Sequence, residues 1–423
     1  MMTIPPTDEL VSWEQYLRAS AVPREMIDDF LRRPNWTQFD PELGYILHNS
    51  LVKWGIDESR TIETFQRNGA RSGFLYAGRK PRINSYGNSF TECNQVCDGE
   101  TWQEYLGGHF GEPIGNYGVG GHGVYQAYRR MLRQEKSEHG AEYVVLYVWG
   151  DDPIRSLMRA RWVATYRWYM PGMRDKCLFG GNPWAHIEMD LSTGHFVEKD
   201  SLLPTPESLY RMCDPEWMLA TFRDDLAVQL EAYAGKPECG WPGTIVDLDR
   251  KRTDLLAEAL GFRFDWSATA DCKRQALKLL NIYSQRATNH ILDKARAHTK
   301  VSNKKLLVVL NFTARQDYSV KDPLVPYEGV RYDQEILDHL AGEGFDYFDM
   351  NEVHQREYAQ TTGSYSEYMR RYLVDGGHYN PRGNHFFAYS IKNKLLEMLA
   401  PKPLPYQDRD ARTMDFRSYL PNV

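Results

Sequence analysis

Four short stretches of this 423-residue chain carry side chains that could do chemistry together. The first is Gly87-Asn88-Ser89-Phe90-Thr91, which follows an apolar, β-favouring run at 83–86. A serine between a strand end and a helix start can point its hydroxyl out of a sheet. Its N–H then sits at the positive end of the helix, where a developing oxyanion is stabilised. The same serine could instead cap that helix. The second stretch, Asn116-Tyr117-Gly118-Val119-Gly120-Gly121-His122-Gly123, packs four glycines into six residues and lets backbone approach a ligand closely. Gly121 N–H is a candidate oxyanion donor, and a plain turn is the alternative. No Gly-Lys-Ser/Thr follows, which argues against a phosphate loop. The third, Gly150-Asp151-Asp152-Pro153, sets two carboxylates where they could bind a cation or hold a loop. The fourth is Asp375-Gly376-Gly377-His378. A spacing of three in a glycine-rich loop lets the carboxylate accept from one imidazole N–H. The other ring nitrogen is then left to take a proton from a hydroxyl. A purely structural Asp–His pair is the alternative.

These stretches act together only if the fold brings them to one place. Strand signals at 83–86, 113–119, 143–149, 306–312 and 345–349 alternate with helix signals at 101–106, 124–133, 331–340 and 382–399. The run Tyr143-Val144-Val145-Leu146-Tyr147-Val148-Trp149 is continuously apolar, as in a strand buried on both faces. The alternation predicts a parallel, doubly wound α/β sheet, in which ligands bind beyond the carboxyl ends of the strands. All four stretches lie at or near such ends. Pro381 sets the entry of the last helix. Residues 159–299 interrupt the alternation with a hairpin signal about Ser192-Thr193-Gly194 and helical patterns at 206–234, 252–260 and 271–298. They read as a mostly helical insertion. The predicted organisation is therefore an N-terminal extension packed on the core (1–80), a first core part (81–158), the insertion (159–299), a second core part (300–400) and a C-terminal tail (401–423).

Composition narrows the function classes. A net charge of −6 offers no basic footprint for nucleic acid and no polybasic anchor for an anionic membrane. The first residues lack the basic and apolar segments of a secretory leader, and no stretch reaches 18 uninterrupted apolar residues. A cytoplasmic protein is expected. Six scattered cysteines do not make a disulfide scaffold. Cys93 and Cys97, four apart, could share a helix face for a metal or redox role. With no second ligand pair at useful spacing, they read as reduced thiols, and no metal is expected. Aromatic residues reach 13%, which fits broad packing or an aromatic-lined pocket.

Taken together, the four stretches resemble the SGNH (GDSL-like) hydrolase family. The likeness covers about 81–158 and 300–399. Gly87 through Thr91 looks like the family's Gly-Asp-Ser block, with Asn88 in place of the aspartate. Asn116 through Gly121 looks like the glycine block, and Gly121 falls at its oxyanion-hole glycine. Asp375 through His378 looks like the Asp-x-x-His block, continued by Asn380-Pro381-Arg382-Gly383-Asn384-His385. The resemblance implies a three-layer, flavodoxin-like fold with a five-stranded parallel sheet. It implies a Ser89–His378–Asp375 triad and an oxyanion hole built from Ser89, Gly121 and the position of Asp151. The family has an asparagine there, and an ionised aspartate cannot donate. Either Asp151 stays protonated, or the hole relies on the two N–H groups, or the chemistry differs. Losing one donor typically costs about 2.7–4 kcal/mol of barrier.

The implied activity is hydrolysis of a carboxylic ester, O-acetyl included, on a small polar or carbohydrate-like molecule through an acyl-Ser89 intermediate. No cofactor or metal is called for. O-acyl transfer with the same triad, a non-catalytic binding protein on the fold, and other chemistry such as a lyase using a general base are the alternatives. A homo-oligomer is compatible with the sequence. The insertion leaves from the third strand's active-site end, so Trp162, Arg167 and Trp168 could line a pocket or build an interface. His122 is a second candidate base.

Overall fold

The computed structural model describes residues 10–32, 36–161, 163, 182–236, 241–312, 331–374 and 377–407. Two helices, α1 (Trp13–Ala19) and α2 (Arg24–Arg32), open the described chain. Two antiparallel hairpins follow: β1 (Thr37–Asp40) with β2 (Gly44–Leu47), and β3 (Ser50–Lys53) with β4 (Arg60–Glu63). Sequence patterning gives little sign of these strands. They are four residues long, and β3 buries neither face, so hydrophobic alternation is weak.

The alternating segment then begins. In order come β5 (Ile83–Tyr86), α3 (Ser89–Glu92), α4 (Trp102–Phe110), β6 (Ile114–Asn116), α5 (Val124–Glu135), β7 (Tyr143–Trp149) and α6 (Asp152–Ser156). The region between β7 and the next core strand holds an antiparallel hairpin, β8 (His186–Asp190) and β9 (His195–Lys199). It also holds α7 (Pro215–Phe222), α8 (Leu226–Ala234), a two-residue pair β10 (Gly235–Lys236) and β11 (Trp241–Pro242), α9 (Arg250–Ala259) and the long α10 (Cys272–Val301). The chain returns through β12 (Lys305–Asn311), α11 (Gln334–Gly342), β13 (Tyr347–Asp349), α12 (Met350–Ala359), α13 (Tyr365–Met369) and α14 (Pro381–Met398).

The five core strands form one parallel sheet in the order β6-β5-β7-β12-β13. This is the flavodoxin-like order, whose switch point lies between β5 and β7. Strand periodicity splits the apolar residues between two faces. Val144, Leu146 and Val148 join Val308 and Leu310 on one side, under α5, α10 and α11. Tyr143, Val145 and Tyr147 join Leu307 and Val309 on the other, under α4, α12 and α14. Each such side chain, fully buried, contributes about 1.5–3 kcal/mol relative to exposure. Two differences from the sequence reading stand out. The run 113–119 pairs as a strand only over Ile114–Asn116. Past that point Tyr117 and Val119 still donate to the Ser85 and Gly87 carbonyls, at 2.9 and 3.0 Å, so the glycine-rich stretch runs on as a loop pinned to the end of β5. And α10, assigned by sequence to the insertion, packs on α5, α6 and β12, which makes it the crossover that returns the chain to the sheet. Among the described residues no helix is long and apolar enough to cross a membrane.

One side chain ties the N-terminal segment to the end of β5. Arg71 is buried and pairs with buried Asp98 at 2.8 Å. Its remaining donors go to the carbonyls of Glu92 (2.6 Å), Cys93 (2.8 Å) and Val96 (2.6 Å). That fork fixes the loop after α3. Arg71→Met would leave Asp98 a buried charge without its cation and the Cys93 and Val96 carbonyls without their donor. We expect a loss of about 3–5 kcal/mol, read as a lowered midpoint in urea unfolding.

Candidate active site

The segment Gly87 to Val96 is shaped before any catalytic group is considered. Asn88, not Ser89, caps α3: its Oδ1 accepts from Phe90 N–H at 2.7 Å. The cap frees Ser89 for the first helical position, where its N–H meets no acceptor among the described residues. The other end of the Asn88 amide donates to Asp152. The carboxylate of Asp152 also accepts from Trp149 N–H (2.9 Å) and pairs with Arg155 (3.0 Å). Burial outweighs these partners and pushes the Asp152 carboxyl up to about 7. The switch point thus ties the loop after β5 to the loop after β7 through one amide.

The glycine-rich loop closes on α3 from the other side. Gly118 lies so tight that an added Cβ would sit 2.1 Å from Glu92 N. Gly120 comes beside Ser89, its would-be Cβ 3.6 Å from Ser89 Cβ. The Gly120 N–H donates to buried Glu92 at 2.6 Å, and its carbonyl accepts from Tyr45 of β2 at 2.8 Å. Gly121 adopts φ +83°, a conformation that favours glycine, and its N–H has no acceptor among the described residues. Glu92 is pushed well above the carboxylate range by burial and by neighbouring Glu63. His122, the second candidate base, is buried; its Nε2 lies 3.2 Å from Tyr45 O, and burial holds it well below its ordinary value.

His378 closes the site. Its Nε2 is 2.7 Å from Ser89 Oγ, across 289 positions of sequence. Phe90 packs against the imidazole with centroids 5.2 Å apart, and Trp149 packs behind Phe90 at 5.0 Å. Desolvation of the ring, and then the charge of Arg155, pushes His378 down to about 4. At neutral pH the imidazole is therefore uncharged and able to accept a proton.

Two expected site residues fare differently. Asp375 lies outside the described residues. The Nδ1 that the resemblance assigns to it faces Gln95 Oε1 at 2.8 Å. Asp151 accepts and does not donate. Its carboxylate pairs with Lys236 at 3.0 Å and Arg155 at 3.7 Å, so it serves as an acceptor in two ion pairs and does not supply the missing N–H. Trp162, Arg167 and Trp168 also lie outside the described residues. Cys93 and Cys97 are free thiols; Cys93 is buried, which pushes its thiol up to about 12. Sequence reading missed Gln95, Glu92, Tyr45 and Arg155. None stands at a strand end with a motif around it, and only Arg155, three residues past Asp152 on a short helix, carried a local signal.

No known family profile and no curated protein matches this sequence. Among solved structures the chain is similar at 12% identity to one crystal structure over 74% of this chain and 94% of that one, with a TM-score of 0.32. A Lactobacillus plantarum protein solved by a structural genomics consortium is similar at 12% identity over 75% and 98%, with a TM-score of 0.33. The chemistry of the site is therefore read from this chain's own side chains.

The tight seat of Gly118 gives a direct check. Gly118→Ala forces its methyl into the backbone of α3, and neither Glu92 N nor Thr91 C can yield as a flexible side chain would. We expect a stability loss of about 1–3 kcal/mol in thermal unfolding, together with weakened reactivity of Ser89.

Proposed function

We propose that this chain is a serine hydrolase of the SGNH type that cleaves a carboxylic ester, O-acetyl included, of a small polar or carbohydrate-like molecule. The 2.7 Å contact between Ser89 Oγ and His378 Nε2 carries this reading. It is the geometry a nucleophile and its general base need. The parallel sheet, the capped serine beyond β5 and the glycine-rich loop against it lend support.

The steps follow from the groups present. His378 Nε2 takes the hydroxyl proton as Ser89 Oγ forms a bond to the ester carbonyl carbon. Negative charge gathers on the carbonyl oxygen, where the Ser89 and Gly121 N–H groups can donate. The alcohol departs with the proton from His378, leaving an acyl-Ser89. Water, deprotonated by the same imidazole, bonds to the acyl carbon; the bond to Oγ breaks, the acid departs and His378 returns the proton to Ser89. Asn88 and Glu92 hold the two donor segments in place. The ion-paired carboxylate of Asp151, standing where a third donor would be useful, is the one observation that favours a non-catalytic binding protein on the same fold.

A fluorophosphonate probe tests the reading. Wild-type protein is expected to be labelled at Ser89. Ser89→Ala should abolish that labelling, and His378→Ala should slow labelling and p-nitrophenyl acetate hydrolysis by about 10²–10⁴-fold. Full activity in folded Ser89→Ala protein would refute it. The same reaction run with and without an added alcohol separates hydrolysis from acyl transfer. The imidazole must be neutral to accept the proton, so turnover should hold from neutral pH downward and fail only as pH drops through about 4.

A further inference from the structure

The structure gives His378 an orienting group that the sequence reading did not name. His378 Nδ1 lies 2.8 Å from Gln95 Oε1, and the backbone N–H of the same histidine donates to that oxygen at 3.3 Å. Both lone pairs of Oε1 are thereby given to His378. The amide cannot be reversed, because its Nε2 donates to the Trp54 carbonyl at 2.9 Å, and a carbonyl can only accept. An oxygen that only accepts forces Nδ1 to carry the hydrogen. Nε2 is then left with the lone pair that faces Ser89.

The loop that carries Gln95 is built for this task. Cys93 and Gln95 both adopt left-handed backbone, with φ of +64° and +74°. Side chains other than glycine pay a strain of about 1–3 kcal/mol to do so, and such strain persists where surrounding contacts fix it. The Arg71 fork on the carbonyls of Glu92, Cys93 and Val96 supplies those contacts. Gln95 therefore reaches the histidine from a clamped loop only six residues past the nucleophile.

Resting on the Ser89–His378 reading, we propose that Gln95 is the positioning residue of the base, a neutral amide holding the imidazole in its productive tautomer where a carboxylate would otherwise stand. The consequence is electrostatic. A carboxylate at Nδ1 would stabilise the imidazolium and raise its basicity, and an amide oxygen does so far less. Among the described residues, the charged groups gathered about the ring do not replace it. Arg155 of α6 faces it and disfavours the cation, while Asp151 and Asp152 are taken up by Arg155 and Lys236. Glu92 of α3 is turned to the Gly120 N–H. The site is thus set for a weakly basic histidine that stays unprotonated in acid.

Two variants separate orientation from charge. In Gln95→Leu the acceptor is gone, and the rate of fluorophosphonate labelling of Ser89 should fall about 10²-fold at neutral pH. In that labelling step Oγ forms the bond to phosphorus, fluoride leaves, and the hydroxyl proton passes to His378. In the near-isosteric Gln95→Glu the acceptor returns with a charge. Labelling at neutral pH should recover, and its acid limb should move upward by about 1–3 pH units. Nitrogen-15 shifts of the His378 ring report the same two changes without any turnover: an Nδ1–H tautomer in the wild type, and an upward-shifted titration in Gln95→Glu. Folded variants that both keep the wild-type rate, acid limb and ring titration would overturn this inference while leaving the Ser89–His378 reading intact. Labelling that survives Ser89→Ala would sink that reading, and the inference with it.

Discussion

A hydroxyl and an imidazole 289 residues apart share one hydrogen bond, and the architecture can be understood as what keeps that bond in place. Ser89 lies just past β5 and His378 just ahead of α14, which packs against α4. They meet because a parallel sheet collects all its carboxyl ends along one edge. Register enforces the meeting. Ile83 pairs with Ile114 on one side and Tyr143 on the other, so the three loops that follow these strands leave the sheet at fixed heights. A slip of one residue would turn each strand's two faces inside out, against a core buried on both sides.

The polar groups around that bond are arranged to keep negative charge away from it. Asp151 is matched by Lys236 and Arg155, and Asp152 is shared among Arg155, Asn88 and a backbone N–H. Glu92 faces the glycine loop from behind and is held above its ordinary range by burial. The carboxylates near Ser89 thus act on backbone and on cations, and His378 meets an amide. An anion developing on a substrate would find N–H groups in front and paired or raised carboxyls behind.

Beneath the histidine, a second polar chain anchors the segment that carries it. Asn311 at the end of β12 donates to the hydroxyls of Tyr147 (2.6 Å) and Tyr379 (2.9 Å). Tyr379 next meets His354 Nε2 at 2.6 Å, and His354 Nδ1 meets Tyr368 at 3.0 Å. Because Tyr379 accepts from Asn311, its proton is available to Nε2, and Nδ1–H is left for Tyr368. Burial pushes His354 down to about 3, so the network is uncharged. Linked neutral hydrogen bonds in an aromatic core fix geometry without the desolvation cost of a buried charge. The residue next to His378 is in this way tied to two core strands.

Local chemistry along the chain was enough to find the five strands, the last helix and the two residues, Ser89 and His378, that the fold brings into contact, because hydrophobic period, glycine spacing and strand-end position are all short-range signals. It could not find the hairpins of the N-terminal segment, whose four-residue strands carry too little alternation, nor the true length of the strand at Ile114–Asn116. It also gave no sign of two partners. Asp151 looked like an oxyanion-hole position until Lys236, 85 residues later, took its charge. Gln95 looked like nothing at all, since an isolated glutamine in a loop has no pattern. Its role arises only when Arg71 clamps the loop, Trp54 fixes the amide and a distant imidazole arrives at its oxygen. Types and spacings determine which elements form and which atoms can react. Which atom faces which is decided by contacts between residues far apart in sequence, and only the folded chain sets those.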